Sequence, residues 1–201
     1  TDALGRVVTF DVDELGRVET RTDKLGAQEQ TTTWTWDTAP HGIGRLHTVT
    51  SPDAIQSFSY TAKGQLEGMA QAVADESFAA RHFYDDIGRV KSVDYPQPLG
   101  QAPFGVMYER DEHGFVVGVR EKNTNESFWT LKEVDDAGRI RKERFGNAVE
   151  TTRDYDHDKQ TLEGISTTFG AAKIQKLAYD HDARLNLKSR TDTLQPQNKT
   201  E

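Results

Sequence analysis

One short phrase recurs along this chain, and it constrains the fold more than any other feature. Asp85-Asp86-Ile87-Gly88-Arg89-Val90 returns as Asp2-Ala3-Leu4-Gly5-Arg6-Val7, as Asp13-Glu14-Leu15-Gly16-Arg17-Val18 and as Asp135-Asp136-Ala137-Gly138-Arg139-Ile140. Weaker copies are Asp23 to Gly26, His41 to Leu46 (closing on Gly44), Thr61 to Leu66 (closing on Gly64) and Asp111 to Val116 (closing on Gly114). Two late copies, headed by Asp156 and Asp180, carry Lys159 and Ala183 where the others have glycine. Internal repeats of this kind define the architecture before any single element does.

The phrase has a local physical reading. Asp suits the first position of a type I turn, where its carboxylate accepts nearby backbone N–H groups. Glycine three residues later suits the left-handed conformation that follows. The expected product is a hairpin with a three-residue loop and a bulge. Its register pairs Asp with the residue after glycine (Asp85 with Arg89, Asp135 with Arg139). The preceding residue then pairs with the next apolar one (Tyr84 with Val90, Tyr179 with Leu185). Adjacent pairs point to opposite faces, so the charged pair and the aromatic pair are expected on different faces. Where glycine is missing, Asp158 or Asp182 is expected to take the left-handed role.

The flanks alternate as strands do, in Thr33-Trp34-Thr35-Trp36, Gln56 to Tyr60 and Arg184 to Lys188. Met69 to Ala80, rich in alanine, reads either as a short helix or as a strand return. Tyr95 to Pro103 reads as a loop. The expected fold is all-β: tandem hairpins in a long, curved or spiralling antiparallel sheet of a single layer. Residues 1–190 form this segment and 191–201 a polar, mobile tail.

Composition narrows the function. With 25 Lys+Arg against 33 Asp+Glu, the net charge is -8, and a general nucleic-acid binder needs the opposite balance. Cysteine is absent, which removes disulfides, thiolate metal sites and cysteine nucleophiles. Hydrophobic residues make up 34% and mean hydropathy is -0.77, low for a thick two-sided core. No apolar run reaches the length of a membrane span. The chain starts at Thr1, inside the repeat, and reads as a piece of a longer protein.

The phrase Tyr-Asp-x-x-Gly-Arg-Val, best seen in Phe83 to Val90, resembles the YD repeat of the Rhs family. Trp34-Thr35-Trp36-Asp37 through Gly44-Arg45-Leu46 is similar to that family's variant with a longer tip. The resemblance spans nearly the whole chain. It implies bacterial polymorphic toxins, insecticidal toxin-complex components and teneurin-like shells, in which hairpins join edge to edge and bacterial members enclose a toxin domain. It therefore implies a secreted or cell-surface wall segment without catalysis. Its partners would be the rest of its parent chain or a companion toxin subunit, and its exposed edges invite pairing with another chain. The family's Asp-Pro self-cleavage segment has no counterpart here.

Sites of chemistry are sparse. The Asp-His-Asp triplets at 156–158 and 180–182 read as turn tips before metal ligands, and so does the acidic pair Asp11 and Asp13. His41, His47, His82 and His113 lack a nucleophile motif. No carboxylate pair stands out for glycoside cleavage, and no cofactor motif is present. Trp34 and Trp36 share one strand face, and the alternative function is a cell-surface recognition module that binds glycans or a partner protein through such aromatics or the sheet edges. Asn125 and Asn198 match glycosylation acceptors. The residues that define the structural motif are Asp2, Gly5, Asp13, Gly16, Asp23, Gly26, Gly44, Gly64, Asp85, Gly88, Arg89, Asp111, Gly114, Asp135, Gly138, Arg139, Asp156 and Asp180.

Overall fold

The computed structural model describes residues 2–97 and 101–194. The end of the tail, Asn198 and part of the expected 95–103 loop lie outside these residues. The described residues form sixteen strands and no helix; the strands follow one another in chain order, antiparallel, in a single layer. Two units divide the chain at Gly105. The first holds β1 (Val7–Val12), β2 (Val18–Leu25), β3 (Gln28–Trp36), β4 (Leu46–Thr50), β5 (Ala54–Tyr60), β6 (Leu66–Val73), β7 (Glu76–Tyr84) and β8 (Val90–Asp94). The second is built from β9 (Gly105–Arg110), β10 (Val116–Glu121), β11 (Ser127–Val134), β12 (Ile140–Phe145), β13 (Val149–Tyr155), β14 (Leu162–Phe169), β15 (Ala172–His181) and β16 (Leu187–Asp192).

Met69 to Ala80 is a strand return. Ala70 pairs with Ala79 and Met69 with Ala80 across β6 and β7, and Ala74 takes φ +50 in the connection. Alanine prefers helix in isolation, but ladder hydrogen bonds on both sides of each strand override that preference. The C-terminal strand continues to Asp192, and Thr193 donates its N–H to Lys176 O at 2.8 Å.

The repeated phrase builds the turns from odd to even strands. In the Asp85 turn, Asp85 N–H donates to Arg89 O and Gly88 N–H to Asp85 O, both at 2.9 Å. The Asp85 Oδ1 accepts the N–H groups of Ile87 (3.2 Å) and Arg89 (2.8 Å). The same pattern holds at Asp2, Asp13, Asp111 and Asp135. Gly5, Gly16, Gly44, Gly64, Gly88, Gly114 and Gly138 all have positive φ, between 75° and 91°. Tyr84 pairs with Val90.

Three turns differ from the sequence expectation, and the His41 copy takes the longer-tip form. Asp23 heads no turn: it pairs with Gln30 inside the β2–β3 ladder, and Gly26 (φ +61) serves a two-residue connection at the opposite strand end. The His41 copy is the tip of a longer loop headed by Asp37, whose N–H donates to Arg45 O and whose Oδ1 accepts Gly44 N–H. The Asp156 turn is one residue longer, and Gln160 (φ +61), not Asp158, is left-handed. Asp180 lies within β15, two residues early. Asp182 heads that turn and Leu185 (φ +66) is left-handed, so Tyr179 pairs with Arg190 rather than Leu185. In both late turns, an Asp carboxylate satisfying the loop N–H groups selects the head, and the left-handed residue follows from that choice.

A further regularity is invisible in the phrase itself. Eight returning strands each carry one extra residue, at Glu19, His47, Glu67, Lys91, Val117, Arg141, Glu163 and Lys188. Each lies three positions after the left-handed residue of its turn. A bulge of this kind bends its strand and sharpens the local twist.

No large side chain is fully buried among the described residues; the buried apolar residues are Ala39, Val93 and Val106. The two faces nevertheless differ. In the first unit the register places Thr22 opposite Thr31, Thr33 between Thr20 and Thr50, and Ser57 between Thr48 and Ala70 on one face. The other face carries Trp34, Val49, Phe58, Met69, Phe78, Ala80 and Tyr84. In the second unit Trp129, Leu131, Phe145, Ile165 and Leu177 share one face, while Lys142, Arg144, Glu150, Ser166 and Lys176 share the other.

The left-handed positions make a clean test. A Cβ at Gly16 meets nothing within 4 Å, so Gly16→Ala isolates the backbone cost, expected at about 1–2 kcal/mol of stability. Ala148 has φ +65, and Ala148→Gly is expected to stabilise by up to about 1 kcal/mol. Urea unfolding midpoints of the two variants measure both.

Candidate functional site: a latch between successive hairpins

The motif residues converge on contacts between neighbouring hairpins. Within a turn, Asp Oδ2 accepts the guanidinium Nε of the following Arg: 2.6 Å for Asp13 and Arg17, 2.7 Å for Asp85 and Arg89, 2.7 Å for Asp135 and Arg139. The arginine then reaches onward. Arg17 donates to Asp37 at 2.7 Å, and Arg139 donates to Gln160 O at 2.6 Å, in each case the next turn of the row. Where Gln65 replaces arginine, its Nε2 donates to Gly88 O at 2.7 Å, again one turn along.

The same side chains cover the next hairpin's aromatic ring. Arg17 sits over Trp36 at 5.0 Å, Arg45 over Tyr60 at 5.4 Å and Arg139 over Tyr155 at 4.0 Å, all within cation–π range. The aromatic residue completes the loop by donating backward. Trp36 Nε1 bonds Val18 O at 2.8 Å, Tyr60 OH bonds Leu46 O at 2.5 Å and Tyr84 OH bonds Leu66 O at 2.6 Å. Each acceptor lies two residues after the glycine of the previous turn. Charged and aromatic pairs are therefore not segregated onto opposite faces as the register implied: the long arginine crosses from its own turn onto the next ring.

These contacts set the electrostatics. The backbone N–H and then the guanidinium of Arg89 hold the Asp85 carboxyl below the usual carboxylate range. Arg139 does the same at Asp135, against the opposing effect of desolvation, and Arg17 with Gly44 N–H does so at Asp37. Asn186 lowers Asp182. The second unit adds a buried polar centre to its apolar face. There Glu143 accepts Trp129 Nε1 at 2.7 Å and Arg153 Nη2 at 2.6 Å.

Other sequence candidates are not brought together. Among the described residues no group of three or more His, Asp or Glu is placed to hold a metal. The His157 ring meets its neighbour Asp158 within the tip, at 3.1 Å, and both side chains are almost fully exposed. Trp36 has its ring under Arg17 and its N–H on Val18, and Trp34 is half-buried in β3. A concavity of about 420 Å³ lies over Ser57, Ser59, Gly68 and Ala70, flanked by the Glu67–Arg81 ion pair at 2.6 Å. The onward reach of Arg and the backward bond of the aromatic were missed in the sequence. Their only signal was the aromatic residue standing directly before four of the turn heads, at Trp36, Tyr60, Tyr84 and Tyr155.

No protein-family model and no curated protein matches this chain. Solved structures do. A crystal structure of TcdB2-TccC3-TEV aligns with a TM-score of 0.78 and 16% identity, over 96% of this chain and 11% of that one. A Photorhabdus luminescens Tc holotoxin pore aligns at 0.74 and 15%, over 94% and 10%. A crystal structure of TcdB2-TccC3 aligns at 0.74 and 15%, over 94% and 11%. The chain thus spans about a tenth of the length of the solved chains it matches, and the likeness is one of fold.

Two measurements check the latch. Tyr84→Phe removes one hydrogen bond and is expected to cost about 0.5–1.5 kcal/mol. The acid response follows from the carboxylates. Their folded pKa values lie below the unfolded ones, so their contribution is complete above the ordinary value of 3.8 and is lost as pH falls through the folded values. Urea midpoints are expected to fall steeply below about pH 4, and the double variant Asp85→Asn, Asp135→Asn to show a shallower fall from a lower start.

Proposed function

We propose that this chain is a non-catalytic wall segment of an Rhs/YD-repeat shell that encloses a toxin domain and helps deliver it. The observation that carries this reading is the latch. Arg17, Arg45, Gln65 and Arg139, with the rings of Trp36, Tyr60 and Tyr84, are engaged in joining one hairpin to the next, which is the work of a wall. The single layer and the likeness to Tc toxin structures support it. On this reading the partners are the rest of the parent chain or a companion toxin subunit, and the assembly is secreted. The Arg17-covered ring of Trp36 favours the wall over a glycan platform.

Native proteolysis of the full-length parent, read by mass spectrometry, tests the proposal. A C-terminal segment outside the repeats is expected to survive digestion while the wall is intact, and to be degraded after acid or urea opens it. Free cleavage of that segment from native protein, or its absence, overturns containment.

A further inference from the structure

One arginine of the repeated phrase is not used by the latch. Arg17, Arg89 and Arg139 each donate Nε to the Asp of their own turn. Arg6 holds the same place in Asp2-Ala3-Leu4-Gly5-Arg6, yet its exposed side chain has no partner among the described residues. Position explains the difference. β1 runs from the Asp2 turn to the Asp13 turn, so Arg6 stands at the sheet edge opposite the latch row. The next connection on that edge is the two-residue tip of Gly26 and Ala27, which has neither a turn-head Asp nor a ring to offer.

A concavity of about 780 Å³ is lined by Arg6 and by the β2–β3 hairpin. Arg21, Asp23, Gln28 and Gln30 line it from one sheet face, because Arg21 pairs with Thr32, Asp23 with Gln30 and Leu25 with Gln28. Arg21 is held by Asp23 at 2.8 Å, with its guanidinium 6.0 Å from the Phe10 ring. Three cations in the lining, Arg6, Arg21 and Lys24, face two carboxylates, Asp23 and Glu29. Asp23 serves Arg21 and Glu29 lies 3.9 Å from Lys24, so Arg6 is the uncompensated charge. The chain itself shows what an arginine at this place in the phrase takes: Arg17 bonds carboxylate oxygens of both Asp13 and Asp37. The side-chain amides of Gln28 and Gln30 have no partner among the described residues. Each offers donors and an acceptor, and they stand about 6.5 Å apart along β3, the interval between alternate residues of an extended peptide.

We propose that this concavity is a binding site for an acidic peptide segment in extended conformation. Arg6 takes a glutamate or aspartate carboxylate of the peptide, and Gln28 and Gln30 bond the peptide groups beside it. The site is separate from the latch and does not depend on the enclosing-wall reading.

Fluorescence anisotropy tests the site with the peptide Ser-Thr-Ser-Glu-Ser-Thr-Ser, blocked at both ends and carrying a neutral dye, so that glutamate supplies its only charge. The same peptide with Gln in place of Glu is the comparison. Saturable binding of the Glu peptide is expected, about tenfold or more tighter than that of the Gln peptide, because a charge-assisted hydrogen bond is lost in the latter. Arg6→Gln is expected to erase that difference while leaving the far-UV circular dichroism and the urea midpoint unchanged, since the Arg6 side chain joins no other residue of the fold. Raising NaCl from about 0.1 M to about 0.5 M is expected to weaken binding of the Glu peptide alone. Equal binding of the two peptides, no saturation by either, or a Glu preference that survives Arg6→Gln overturns the proposal. Displacement of the Glu peptide by acetate or inorganic phosphate as readily as by its unlabelled form also overturns it, because the concavity would then read charge and not a peptide.

Discussion

The structure depends on contacts that each hairpin makes with the next. A single hairpin is marginal in water, and a single-layer sheet has no second layer to bury its apolar face against. Stability must then come from within the layer. The Asp carboxylate closes its own loop and holds its arginine. The arginine bonds the next turn or covers the next ring, and the ring's polar atom bonds back. Arg17, Trp36 and Val18 form one such circuit. Each member is half exposed and individually modest. Repetition along the row makes the sum matter, as in other arrays held by nearest-neighbour contacts.

This arrangement explains a composition that would be poor for a layered domain. Few apolar residues are buried, because the charged and aromatic side chains at the turn edge do much of the joining. It also explains why the motif tolerates loss of its glycine. Gln160 and Leu185 occupy the left-handed position at some backbone cost, while Asp156 and Asp182 keep the loop N–H groups satisfied. Arg139 still reaches the Gln160 turn, through both the backbone and the side-chain oxygen. The latch thus reads the backbone and ring of the next hairpin, and not its glycine.

The bulges belong to the same logic. In the turns from odd to even strands, the extra residue three positions after the left-handed one is carried by Glu, His, Lys, Arg and Val alike, so no side chain specifies it. The tight turn sets the strand ends in one register, and the long middle of each ladder settles in another. The bulge absorbs the difference, and the sheet bends where it sits.

The sequence by itself determined the all-β class, the turn edge and most turn heads. Those features are local: an Asp side chain, a left-handed glycine and alternation over five residues act within one hairpin. It left Met69 to Ala80 undecided, misplaced the heads at Asp23 and Asp180, and was silent on the bulges and the latch. Only the tertiary structure decided these, because each depends on a strand or turn about twenty residues away in the chain. Arg17 meets Asp37, Gln65 meets Gly88 and Tyr84 meets Leu66 only after the ladders between them have paired. A local pattern can state that a hairpin forms, but what a long side chain touches beyond its own hairpin is settled by the neighbour that packs beside it.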